Sequence, residues 1–195
     1  MINRELTRTK IIQLAYAYFV NDNNDPTNAE KELLFSMSKA YELYLLQLNL
    51  INAIRDEAEH IWGLEAAKAE REKQSTPKRR FIDNQFALQL KSNESFLELS
   101  AHKNISWSED IEVVRHLLQL ILQSQSYQEY MQKDSTTYEE DKELWCIIYK
   151  NIISQNDQLA EALEGRSLYW NDDKYVIDTF VLKTIRRFSQ ENATK

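Results

Sequence analysis

Leu43-Tyr44-Leu45-Leu46-Gln47-Leu48-Asn49-Leu50-Ile51-Asn52-Ala53-Ile54 is the stretch whose reading settles the fold class. Leu34, Met37, Tyr41, Tyr44, Leu48 and Ile51 recur at alternating spacings of three and four, and Leu43, Leu46, Leu50 and Ile54 form a second stripe beside them. Two apolar stripes on one helix require two packed neighbours. Thr27 with Glu30 reads as a capping box that opens this helix, and Pro77 ends whatever follows it. From Glu57 to Lys73 the chain is rich in alanine and charge, so helix propensity is high while little is left to bury. A long helix with an exposed far end is expected.

The same period governs the rest of the chain, and asparagine, serine and proline clusters punctuate it. A first helix is expected from about Asn3 to Val20, stopping at Asn21-Asp-Asn-Asn-Asp25-Pro26. From Ile11 onward it is apolar nearly all round, which predicts a central position with Tyr16, Tyr18 and Phe19 in the core. One helix is expected from about Asp83 to Leu99. Another, capped by Ser106 or Ser108, carries Ile111, Val114, Leu118, Ile121 and Leu122, and breaks near Ser124 to Ser126 before Tyr127-Gln-Glu-Tyr130-Met131. Thr137 with Glu140 is a second capping box, opening a helix with Leu144, Trp145, Ile148 and Ile152 on its core face. Asp157 to Glu164 reads as a short helix ending on Gly165 as a left-handed cap, and a last helix from about Asp172 carries Ile177, Val181, Thr184, Ile185 and Phe188. The expectation is an all-α multi-helix bundle, with a central N-terminal helix and a long second helix, in one domain over residues 1–195.

Composition removes several alternatives. Of 195 residues only two are glycine, Gly63 and Gly165, far apart, so neither a dinucleotide-binding glycine fingerprint, a Walker A loop nor a nucleophile elbow is written here. The single cysteine, Cys146, excludes an intramolecular disulfide and multi-cysteine zinc sites, and fits a reducing, cytoplasmic setting. The start lacks a secretory pattern, and the longest apolar run, Ile11 to Val20, is too short to span a bilayer. No membrane association is expected.

Little in the chain points to catalysis. His60, His102 and His116 make no H-E-x-x-H arrangement, and the nearest acidic neighbour, Glu112, faces His116 as a solvated helical pair. Cys146, between Trp145 and Ile147, reads as a buried thiol. Glu139-Glu140-Asp141 and Asp172-Asp173 each sit where a helix begins, and negative charge there complements the helix dipole. No enzyme, metal or cofactor is expected.

The net charge is −7, so any nucleic-acid role must rest on a local cationic patch. The basic groups fall at Arg4, Arg8 and Lys10, at Lys78-Arg79-Arg80 and at Arg186-Arg187. Arg4 and Arg8 stand one helical turn apart on a common ridge at a helix N-terminus, where two guanidinium groups grip adjacent phosphates. Lys10 points elsewhere on the helix.

Arg4-x-x-x-Arg8-Thr-Lys-Ile-Ile12-Gln13-Leu-Ala-Tyr16 resembles the opening helix of the NusB family of bacterial transcription antitermination factors. Ala29-Glu-Lys-Glu-Leu-Leu-Phe-Ser36, Arg80-Phe-Ile-Asp-Asn-Gln-Phe86, Tyr127-Gln-Glu-Tyr-Met131, Glu143-Leu-Trp-Cys-Ile-Ile-Tyr-Lys150 and Ile177-Asp-Thr-Phe-Val-Leu-Lys-Thr184 look like segments of an extended form of that family. The resemblance implies an all-helical, non-catalytic factor that binds boxA-type single-stranded RNA, a ribosomal protein of the NusE type and the RNA polymerase complex. It places RNA contacts on Arg4, Arg8 and Lys10, and a structural role on Gln13 and Tyr16. The opening helix carries fewer arginines than short members do, which implies a weaker phosphate grip. The extended form continues past Thr184 into a helical half that has no counterpart before Lys195, so the chain reads as the N-terminal region of such a protein. The alternative function is a helical interaction or oligomerisation scaffold, in which the long second helix and the 57–73 stretch hold another chain or a second copy.

Overall fold

The double stripe becomes one helix, α2, Pro26–Glu72, whose 47 residues extend about 70 Å at 1.5 Å per residue. The computed structural model describes residues 4–20 and 26–190. Besides α2 these form α1 (Arg4–Val20), α3 (Gln85–Ser92), α4 (Glu94–His102), α5 (Ile111–Gln123), α6 (Gln125–Gln132), α7 (Tyr138–Ile148), α8 (Asp157–Arg166) and α9 (Lys174–Arg187). The described residues contain no strand, and the all-α multi-helix fold stands.

The central helix is α2, not α1. Leu43, Leu46, Leu50, Ile51 and Ile54 are each at most 1% exposed, and α1, α3, α4, α5 and α9 all pack against this one helix. Burying one Leu or Ile contributes about 2 kcal/mol, so the apolar girdle from Ala40 to Ile54 organises the bundle. Trp107 and Trp170 donate their indole N–H groups to the Leu46 and Lys39 carbonyls, each at 2.9 Å, and pin the following segments to α2. Beyond Gly63 the helix is largely exposed, as its composition predicts, although Ala69 is buried.

Helix α1 lies on the outside. Only Leu6 and Lys10 are buried, whereas Ile12, Tyr16 and Phe19 are 69%, 71% and 85% exposed. The expectation that its apolar residues form the core is therefore corrected. The centre is filled by α2 and its neighbours, and α1 reaches them through one narrow edge.

Several boundaries also move. Helix α2 begins at Pro26, so Thr27 lies inside the first turn rather than at the cap; a fixed proline φ suits that opening position. The single helix expected over 83–99 is two, because the Asn93 backbone turns extended while its side chain accepts from Phe96 N and caps α4. Asp110, not Ser106 or Ser108, precedes α5, and Ser124 both ends α5 and caps α6. The Thr137–Glu140 capping box forms as expected, and α7 then widens into a π turn over Tyr149–Ile153. Gly165 lies within α8, no described glycine has positive φ, and Ser167 follows the helix as its C-cap.

Candidate functional site

The first two turns of α1 place Arg4 and Arg8 in solvent, and neither has an ion-pair partner among the described residues. Helical geometry sets them on one ridge, and the same line continues through exposed Ile12, Tyr16 and Phe19. The outer face of α1 thus runs from two guanidinium groups to two exposed rings. Sequence reasoning assigned these rings to the core because aromatics at helical spacing normally pack; no local signal distinguishes an uncovered apolar face from a covered one.

Lys10 does not belong to this surface. Its ammonium lies 2.7 Å from Asp173 Oδ2, and the two side chains are 6% and 1% exposed. Burial raises the Asp173 carboxyl above its ordinary value, and the charge and hydrogen bond of Lys10 work against that rise. One helical turn on, Gln13 Nε2 donates to Asp172 Oδ2 at 3.0 Å. Asp172 and Asp173 therefore fasten α1 to the start of α9, a long-range role that dipole reasoning alone did not reveal. Gln13 is thus tied to α9, while Tyr16 is 71% exposed.

The Lys78-Arg79-Arg80 cluster is structural. Arg79 lies over the Trp62 ring and bonds Asp83 and Glu59, while Arg80 donates to the carbonyls of Tyr130, Met131 and Asp134. Their guanidinium groups hold the return of the chain after α2 and are not free for a polyanion.

From the Lys10–Asp173 contact, α1 continues toward its N-terminus and α9 toward its C-terminus, and a cavity of about 660 Å³ lies between their far ends over α2. Leu34, Met37, Tyr41 and Phe180 supply much of its lining, and among the described residues Arg4, Lys183 and Arg187 are the charged ones. Leu34 is 61% exposed. Tyr44 is half-buried against this wall; its hydroxyl shares a 2.8 Å hydrogen bond with Thr184, and burial raises its pKa. Lys183 did not stand out in the sequence, because its meaning depends on where α9 comes to rest.

Buried titratable groups elsewhere are engaged in packing. Asp141, 1% exposed, accepts from Tyr130 Oη and Gln85 N, both at 2.7 Å. Asp178 accepts from Tyr149 Oη at 2.8 Å and from Lys174 Nζ at 2.9 Å, and burial raises its carboxyl above the ordinary range. The Cys146 thiol is buried and pushed up by that burial. Among the described residues no group of three His, Cys, Asp or Glu side chains is placed to hold a metal ion, and no helix is long and apolar enough to cross a membrane.

Comparison of the chain with protein-family models, with curated proteins and with solved structures returns no match.

Proposed function

We propose that this chain is a NusB-like, non-catalytic RNA-binding factor of transcription antitermination or termination, acting in the cytoplasm through boxA-type single-stranded RNA held on the outer face of α1. The observation that carries this reading is the exposed Arg4–Arg8 ridge, free of internal ion pairs at a helix N-terminus. Phosphate contacts from the two guanidinium groups position the strand, and the exposed Tyr16 and Phe19 rings offer stacking platforms for unpaired bases further along the same line. Lys10 is left out of the RNA contacts because Asp173 holds it inside. In this reading a ribosomal protein of the NusE type and the polymerase complex engage other surfaces.

The test is fluorescence anisotropy with a labelled boxA-type single strand across a salt series. Replacing both Arg4 and Arg8 by alanine should weaken binding and flatten the log–log salt slope by about 1.4, that is about 0.7 for each lost phosphate contact on a single strand. Tyr16→Ala should weaken binding while leaving the salt slope unchanged, since stacking releases no counterion. Affinity and slope that survive the double arginine change overturn the proposal.

A further inference from the structure

We propose that the groove between α1, α2 and α9 is a docking site for an acidic amphipathic helix of a partner protein, sharing Arg4 with the RNA-facing ridge but otherwise built mainly from α2 and α9. Charge complementarity selects the occupant. The chain carries a net −7, yet among the described residues this groove is lined by Arg4, Lys183 and Arg187 and by no acidic side chain. None of the three has an ion-pair partner among the described residues. Cations gathered without counter-charge on an acidic protein attract and orient an anionic partner.

The floor narrows the class further. Leu34, Met37, Tyr41 and Phe180 present aliphatic and aromatic surface, with a flexible thioether that adapts to the side chain it meets. Three of the four hydroxyls on the lining are already engaged: Ser38 Oγ accepts from Lys103 Nζ at 3.1 Å, and Thr184 Oγ1 and Tyr44 Oη share one bond, which leaves Tyr41 Oη. Little hydrogen-bonding capacity is left to read base edges, which disfavours a nucleic-acid strand here. Apolar anchors inserted between two flanking helices are the helix-in-groove mode of recognition. About 660 Å³ has room for a few such anchors.

Register adds a constraint. Lys183 and Arg187 are one turn apart on α9, so a partner helix running along it meets both with carboxylates at its own i and i+4 positions. Arg4 stands on the α1 side of the groove and receives a carboxylate from the opposite flank of the same helix. A single-headed acyl chain engages only one of these cations at a time.

The experiment is selection of a displayed random library of peptides about 16 residues long, enough for four helical turns, on the full chain, followed by anisotropy with the enriched sequences. Enriched peptides should carry Leu, Phe, Met or Trp at i, i+3 or i+4 and i+7, flanked by Asp or Glu. The double change Lys183→Glu with Arg187→Glu should weaken them by about tenfold or more, and Leu34→Asp, at an exposed floor position, should do the same. Thermal melts identify any variant that has lost its fold, and Arg8→Ala should leave peptide binding intact. Failure of the RNA reading is therefore separable from failure of this one. No enrichment, or enriched peptides indifferent to the charge reversal, overturns the proposal. So does binding at the same residues by dodecanoate alone, by single-stranded RNA alone, or by a second copy of the chain in sedimentation.

Discussion

Lys10 Nζ and Asp173 Oδ2 meet at 2.7 Å with almost no solvent between α1 and α9. The pair is a deeply buried attachment of the peripheral helix, on the side away from the ridge on which Arg4 and Arg8 stand. Lys10→Met strands a buried carboxylate and should cost about 3–5 kcal/mol at neutral pH. With the ammonium gone, the Asp173 pKa, already raised by burial, rises further above its ordinary 3.8. The native state then binds that proton more readily than the unfolded chain, so the deficit should shrink as pH falls through the raised value. Urea melts at neutral and mildly acidic pH measure this. The double change Lys10→Met with Asp173→Leu should recover most of the loss, because apolar replacements of a buried pair are near neutral.

The Thr137–Glu140 capping box gives an opposite pH signature. Glu140 accepts from Thr137 N at 2.9 Å and pairs with Lys133 at 2.6 Å, and these bonds hold its carboxyl at about 2 instead of the ordinary 4.5. A depressed folded-state value means that the contribution is complete above the unfolded pKa and is lost as pH falls between the two. The exposed position keeps it small. Glu140→Gln should flatten the acid limb of stability against pH by lowering the neutral plateau slightly, while stability below the depressed value stays nearly unchanged. Thr137→Ala should lower the plateau itself by about 1 kcal/mol. Chemical denaturation across the acid range separates the two variants.

Those two sites mark the boundary of what the sequence makes legible. The capping box is local, a matter of residues three apart satisfying each other's amides, and it forms where the pattern places it. The α2 stripes are equally readable, because burial at a helical period leaves a periodic trace. The position of α1 is not readable that way. Periodicity reports that Ile12, Tyr16 and Phe19 are apolar, but whether another segment covers them depends on tertiary contacts that no window contains. Lys10 shows the same limit within the candidate site. Its partner lies beyond every local pattern, and only the packing of α9 separates it from Arg4 and Arg8. Asn93, one residue inside an apparently continuous helical period, shows that a single Asn turning extended is enough to divide a helix without leaving a proline or glycine as warning.

The exposed face of α1 should be tolerant where the core is not. Ile12→Ser, at 69% exposure, should change stability by less than about 0.5 kcal/mol. Trp145→Ala should cost about 3–5 kcal/mol, since that indole is fully buried and packs 5.4 Å from the Phe81 ring centroid. A large penalty at Ile12 in equilibrium unfolding would show that α1 is covered in solution. That result would remove Tyr16 and Phe19 from the RNA-facing surface.

Gly165 offers the sharpest test of a local conformation, because the two readings give opposite signs. As a left-handed cap it would resist alanine, whose Cβ disfavours positive φ. In the structure it lies inside α8, no described glycine has positive φ, and a Cβ at this site meets nothing within 4 Å. Gly165→Ala should therefore stabilise the chain by about 0.5 kcal/mol, a reduced gain because the position lies next to the helix end. Gly63→Ala, deep within α2 and equally free of neighbours, should gain close to about 1 kcal/mol. The order matters as much as the signs. If the glycine near a helix end gains less than the glycine in the middle of a long helix, conformational entropy of the unfolded chain accounts for both, whereas loss of stability at residue 165 alone would restore the left-handed cap and shorten α8.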